Sequence, residues 1–125
     1  MNQVDYWYSN DSFIHSEVAL RRAIGQYASR NRWIYIGLTQ QRPEERFGQH
    51  QRKWAEGHKW DRMIVIYHAK TFTLMQTVED KLIKYAQQQI KSGKYSCQLI
   101  NDSDSQRPQE AYNPNGFWVY VLVQQ

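Results

Sequence analysis

The sequence predicts a mixed α/β (α+β) fold, in which short apolar strands alternate with helices around a small mixed sheet. Two stretches carry most of this reading. Met63-Ile64-Val65-Ile66-Tyr67 is a continuous apolar run, as expected of a strand buried on both faces. Leu74, Val78, Leu82, Tyr85 and Ala86 fall at helical spacing and make an apolar stripe. No repeat and no long linker divides the 125 residues, so one domain spanning 1–125 is expected.

Each element has its own signal. Val4 to Tyr8 carries bulky residues that favour extended backbone, and Asn10, Asp11 and Ser12 interrupt it. From about Ser16 to Ser29 the residues Ala19, Leu20, Ala23, Ile24, Tyr27 and Ala28 follow helical spacing, with Arg21, Arg22 and Gln26 largely opposite. Trp33 to Ile36 reads as a second strand ending at Gly37. Pro43 suits the first position of a helix, where an N–H has no intrahelical partner, and Glu44 and Glu45 complement the positive end of its dipole. That helix is expected to reach about Trp54.

Arg62 to His68 is the third strand. Thr73 with Gln76 forms a capping-box pattern opening a third helix, which runs to about Ile90 and stops at Ser92-Gly93-Lys94. Asn101 to Asn115, rich in Asp, Ser, Pro and Asn, is expected to be a surface loop. Phe117 to Val123 closes the sheet, with Phe117, Val119, Val121 and Val123 on one face.

Composition narrows the function classes. A chain of this length buries enough surface to fold without disulfides, and Cys97 is the single cysteine, which fits a reducing cytoplasm. Cys97 reads as a small buried hydrophobe, with a nucleophilic role as the alternative. Met-Asn-Gln-Val-Asp-Tyr-Trp-Tyr has neither the basic region nor the apolar core of a signal peptide, and no apolar run is long enough to cross a membrane. A soluble cytoplasmic protein is therefore expected. The net charge of +4 is unevenly spread: residues 21–62 hold ten basic against four acidic groups, and the remainder six against eight. Positive charge interleaved with Trp33, Trp54 and Trp60 suits a polyanion, although an ordinary solvated surface has the same composition.

Chemistry concentrates after the second strand. Arg46 and His50 stand four residues apart on the second helix and so share a face. Beside the strand-end Tyr35, a cation and an imidazole form a surface able to hold a phosphodiester. Glu79 lies at the edge of the third helix's apolar stripe, where an unpaired carboxylate is costly. A lysine partner would account for it. So would a divalent cation, since Mg²⁺ often takes only one or two carboxylates and keeps its waters.

Taken in order, Tyr35-Ile36-Gly37-Leu38-Thr39, Arg46, His50 and Glu79-Asp80-Lys81-Leu82-Ile83 resemble the GIY-YIG nuclease family from Trp33 onward. The resemblance implies a central three-stranded mixed sheet flanked by helices, here with an inserted N-terminal helix. It implies hydrolysis of DNA phosphodiesters with one divalent ion, Mg²⁺ or Mn²⁺. Glu79 would hold the metal, Arg46 the phosphate, and Tyr35 and His50 would match the family's second-motif tyrosine and helix residue. The first motif is absent in its usual form. Tyr6 or Tyr8 is expected to take its tyrosine's place, ahead of Ile24-Gly25-Gln26-Tyr27, which falls in a helical pattern. The family's C-terminal asparagine would be Asn101, preferred over Asn113 and Asn115. Tyr35 together with Tyr6 would accept the proton of the attacking water.

With no separate recognition domain, base contacts would come from Asn10–Arg32, from a second copy in a homodimer, or from a partner subunit. The rival readings are a fold of this kind that binds nucleic acid or a protein without cutting, and a small-molecule-binding or structural α/β domain. If DNA binds through Arg42, Arg52 and Lys53, these three contacts release counterions. Log affinity should then fall against log salt with a slope of about −3, measured by titration at several salt concentrations; a flat profile removes the polyanion face.

Overall fold

Every residue from Met63 to Tyr67 is buried, so the sheet containing that run needs cover on both faces, and helices supply it. The computed structural model describes residues 4–9, 12–53, 60–100 and 112–125. Along the chain lie β1 (Val4–Ser9), α1 (Phe13–Arg30), β2 (Trp33–Thr39), α2 (Pro43–Lys53), β3 (Arg62–Thr71), α3 (Phe72–Lys91), β4 (Gln98–Leu99) and β5 (Tyr112–Gln124).

The described strands form one sheet in the order β1-β3-β5-β2-β4. β5 runs antiparallel to both neighbours, β2 and β3, while β1 pairs with β3 and β4 with β2 in parallel. The sheet is thus five-stranded and mixed, which corrects the three-stranded sheet implied by the family resemblance. The two extra strands are edge additions. At one edge Gln98 and Ile100 donate backbone N–H bonds of 2.8 Å to Arg32 and Ile34, docking β4 on β2. At the other, Val4, Asp5 and Tyr6 lie beside Met63, Ile64 and Val65.

Local chemistry explains the helix starts. The Arg42 carbonyl accepts from the Glu45 and Arg46 N–H groups at 3.0 and 3.1 Å, so α2 begins at Pro43 as expected. The Thr71 hydroxyl accepts from the Leu74 N–H at 3.2 Å, and α3 starts at Phe72. The cap therefore lies two residues before the expected Thr73–Gln76 box. An extended Thr71, still paired with β5, can turn its hydroxyl onto the first helical turn. β5 also begins earlier than expected: Tyr112 already pairs with Thr71, so residues 112–115 belong to the sheet rather than to the loop.

Pleating divides the core. One face carries Ile34, Ile36, Ile64, Val119, Val121 and Val123 and packs against α1 and α3 through Leu20, Ile24, Met75, Val78 and Leu82. The opposite face carries Tyr35, Met63, Val65, Tyr120 and Leu122, with Phe47 of α2 and Trp60. That second, smaller face holds the candidate site. Among the described residues no helix is long and apolar enough to cross a membrane.

Candidate active site beneath helix α2

Gly37 sits opposite Tyr120 in the β2–β5 ladder. A Cβ built on Gly37 would lie 2.6 Å from the Tyr120 ring and hydroxyl and 2.6 Å from the Tyr35 ring. The glycine therefore makes space for two phenols, whose rings lie nearly parallel with centroids 6.2 Å apart. Tyr120 is fully enclosed and Tyr35 nearly so.

α2 brings a guanidinium and an imidazole onto these rings. The Arg46 Nε–H donates to the Tyr120 hydroxyl oxygen at 3.3 Å, and His50 Nε2 lies 2.7 Å from the same oxygen. A donor and acceptor assignment satisfying all three groups has Arg46 donating to the phenol and the phenol donating to His50, which leaves the imidazole proton on Nδ1. A second guanidinium nitrogen donates to Gln49 Oε1 at 2.9 Å, one turn along the helix. The His50 ring also packs edge-on to Tyr35, with centroids 4.9 Å apart. Phe47, fully buried and lying between Arg46 and His50 in sequence, anchors α2 to this face.

The electrostatics follow from enclosure. Burial works against the Arg46 charge, but the oxygens of Tyr120 and Tyr35 outweigh it and hold the guanidinium pKa above its ordinary value. Burial pushes the Tyr120 phenol well above its ordinary value, and the neighbouring Tyr35 and Glu79 push the same way against the opposing pull of Arg46. Glu79 is itself buried in α3 and close enough for its charge to be felt at Tyr120. Tyr35, Arg46, His50 and Tyr120 thus meet directly, with the Glu79 carboxylate within electrostatic range.

Other expected residues lie elsewhere. Tyr6 and Tyr8 are on the edge strand β1, each 46% exposed. Tyr6 shares a row with Val65 and Tyr120, which puts it two strands from Tyr120, roughly 10 Å across the sheet. Its hydroxyl donates to the Glu44 carboxylate. Burial and that carboxylate push its pKa well above the ordinary phenol value, so it is poorly suited to accept a proton. The place beside Tyr35 expected for an N-terminal tyrosine is filled by Tyr120 of β5. Alternation along Phe117–Val123 marks Trp118, Tyr120 and Leu122 as one face, so the residue was visible in the sequence although its neighbours were not.

Gly25 and Tyr27 are helical, which removes them as a first motif. Asn101 lies outside the described residues, as does Trp54, and so do the side chains of Asn113, Asn115 and Lys53. Arg42 and Arg52 are exposed. Trp60 is buried against Tyr35 rather than displayed on a basic surface, and the Trp33 Nε1–H donates to Gln98 Oε1 at 3.0 Å. Cys97 is buried and burial raises its thiol pKa, which favours the packing role over the nucleophilic one. It borders an open depression of about 650 Å³ beside β4, lined also by Ile90 and Leu99.

A metal would find one buried carboxylate here: among the described residues no group of three or more His, Cys, Asp and Glu could hold an ion. Glu79 alone suits a hard cation that keeps its waters and leans on substrate phosphate oxygens, and does not suit a fully protein-enclosed transition metal. No family model matches the chain, nor does any curated protein or solved structure.

Two outcomes follow from this geometry. Gly37→Ala forces the Tyr35 and Tyr120 rings out of an enclosed space and should destabilise the fold by about 1–3 kcal/mol in denaturant titrations. The second concerns alkali. Because the folded-state pKa of Tyr120 is raised, its contribution to stability is present below the ordinary phenol value of about 10 and lost as pH rises beyond it. Tyr120→Phe should therefore lessen the fall in melting temperature above about pH 10, while Tyr6 and Tyr95, shifted in the same direction, sustain part of that fall.

Proposed function

We propose that the protein is a metal-dependent endonuclease hydrolysing DNA phosphodiesters, as the resemblance to the GIY-YIG family suggests. The observation that carries this reading is the convergence of Arg46 and His50, from one helix face, on the phenols of Tyr35 and Tyr120. A purely structural arginine–tyrosine contact would not require an imidazole on the same hydroxyl or a glycine to admit both rings. The buried Glu79 carboxylate of α3, whose charge is felt at Tyr120, adds the remaining group type that phosphodiester hydrolysis uses.

In this mechanism Arg46 binds the non-bridging phosphate oxygens and offsets the charge that builds as water attacks phosphorus and the 3′ oxygen leaves. Tyr35, as a phenolate favoured by the Arg46 guanidinium beside it, would receive the water's proton and become the neutral phenol. Tyr120, enclosed, is a positioning residue that fixes Arg46 and His50 relative to each other. Glu79 would hold Mg²⁺ or Mn²⁺, which when bound supplies Lewis-acid stabilisation of the phosphate and leaving oxygen. Arg42 and Arg52 supply positive charge for the DNA backbone.

Arg46→Ala should lower the rate of Mg²⁺-dependent nicking of supercoiled plasmid about 10²–10³-fold, and Glu79→Ala should abolish it, with circular dichroism showing both variants folded. Undiminished cutting by both variants overturns the site. Absence of cutting by the parent protein with either Mg²⁺ or Mn²⁺, but with DNA binding retained, selects the non-cleaving binding module instead.

A further inference from the structure

Next to the candidate site on the same sheet face is a second cluster that the hydrolytic reading does not use. Trp118 lies two residues before Tyr120 on β5, roughly 7 Å along the strand, and projects from the same face. Around it stand Tyr8, with ring centroids 5.1 Å apart and planes at 88°, Tyr6 at 6.1 Å and 81°, and His68 at 4.2 Å and 48°. Tyr8 also meets His68 edge-on at 6.2 Å.

These four rings come from three adjacent strands, β1, β3 and β5, and form a continuous aromatic surface. Its outer members remain nearly half exposed, which is unusual for large aromatics with a core within reach. The cluster is also held in place. Gly116 has φ of +78°, and a Cβ there would fall 2.1 Å from His68 Nε2, so glycine lets the imidazole lie against the start of the strand.

The surroundings indicate what would cover such a surface. Arg42 is close enough to Tyr6 to influence its hydroxyl, exposed Lys70 follows His68 by two residues, and Arg46 stands at the adjoining phenol cluster. The carboxylate at this edge, Glu44, accepts a hydrogen bond from Tyr6 and sits in the first turn of α2, where the helix dipole stabilises it. Exposed rings combined with cations that border a phosphate-holding arginine match how proteins hold single-stranded nucleic acid: bases stack on aromatic side chains while cations follow the backbone. A wholly apolar protein partner would leave those cations without counter-charge.

We propose that Tyr6, Tyr8, Trp118 and His68 form a stacking platform for an unpaired base, making single-stranded DNA, or a single-stranded segment beside a duplex, the substrate class of the neighbouring site. This rests on the nucleic-acid reading of that site. Paired bases in a continuous duplex are stacked on each other and cannot lie on the rings; an unpaired base can, without the cost of extrusion.

The test is fluorescence anisotropy of a labelled single-stranded oligonucleotide, the matched duplex, and a single strand of equal length carrying abasic sites, all in EDTA so that no cutting is needed. The parent protein should favour the single strand over both the duplex and the abasic strand. Tyr8→Ala, at an exposed position that tolerates truncation, and Trp118→Ala should each weaken single-strand binding about 5–150-fold, leave duplex binding unchanged, and abolish the preference over the abasic strand. Trp118→Phe should retain most of the affinity, separating stacking from a packing defect. Equal binding of normal and abasic strands, no binding of the single strand by the parent, or Ala variants that bind like the parent would each overturn the platform. Failure to cut, together with base-dependent binding that needs the rings, overturns only the hydrolytic reading.

Discussion

An absent side chain at Gly37 governs the α2 face of the sheet. Because nothing projects from that position, the Tyr35 and Tyr120 rings can share the space above the β2–β5 ladder. Arg46 and His50 can then close on the Tyr120 hydroxyl from α2. Any Cβ there would separate the phenols and leave an enclosed hydroxyl without its partners, a cost borne both by the fold and by the arrangement of Arg46 and His50. Stability and candidate chemistry therefore share one constraint. The small core on this face, with Phe47 and Trp60 beside Tyr35, serves mainly to hold α2 against it.

What could be read in the sequence was what local physics determines. The apolar stripe of α3, the proline and acidic start of α2, and the continuous run of β3 each depend on residues close in sequence, and each element is present. Tyr35, Arg46 and His50 were legible for the same reason, since strand parity and a four-residue helical step fix their relative directions. Strand order was not legible. Alternation in β5 identifies which residues share a face but says nothing about which strand lies alongside, so Tyr120 could not be placed beside Tyr35. The tyrosines of β1, closer to the expected motif in sequence order, are two strands away from β5. The edge strand β4 is two residues long and carries no periodicity that would assign its partner.

The two aromatic clusters differ in a way that suits different tasks. Tyr35 and Tyr120 are enclosed and hold Arg46 and His50 in fixed places; Tyr6 and Tyr8, beside the partly exposed Trp118, are open to an incoming ring. Both stand on one side of the sheet, while the larger core beneath α1 and α3 occupies the other. The molecule thus concentrates its packing against one face and leaves the second free for polar and aromatic groups that a tighter core would exclude.

The position of β5 has a consequence for how the molecule comes into being. Of the described strands it is the last in chain order, yet it lies at the centre of the sheet, where it supplies the antiparallel partner of both β2 and β3. During synthesis β2 and β3 leave the ribosome with their inner edges unsatisfied, and they are not neighbours of each other in the finished sheet. Until the final strand emerges, two long apolar edges face an empty lane, the condition under which nascent chains pair with the wrong partner. The nascent chain must keep that lane open for a late arrival, so correct closure competes with mispairing of the two waiting edges until β5 docks between them.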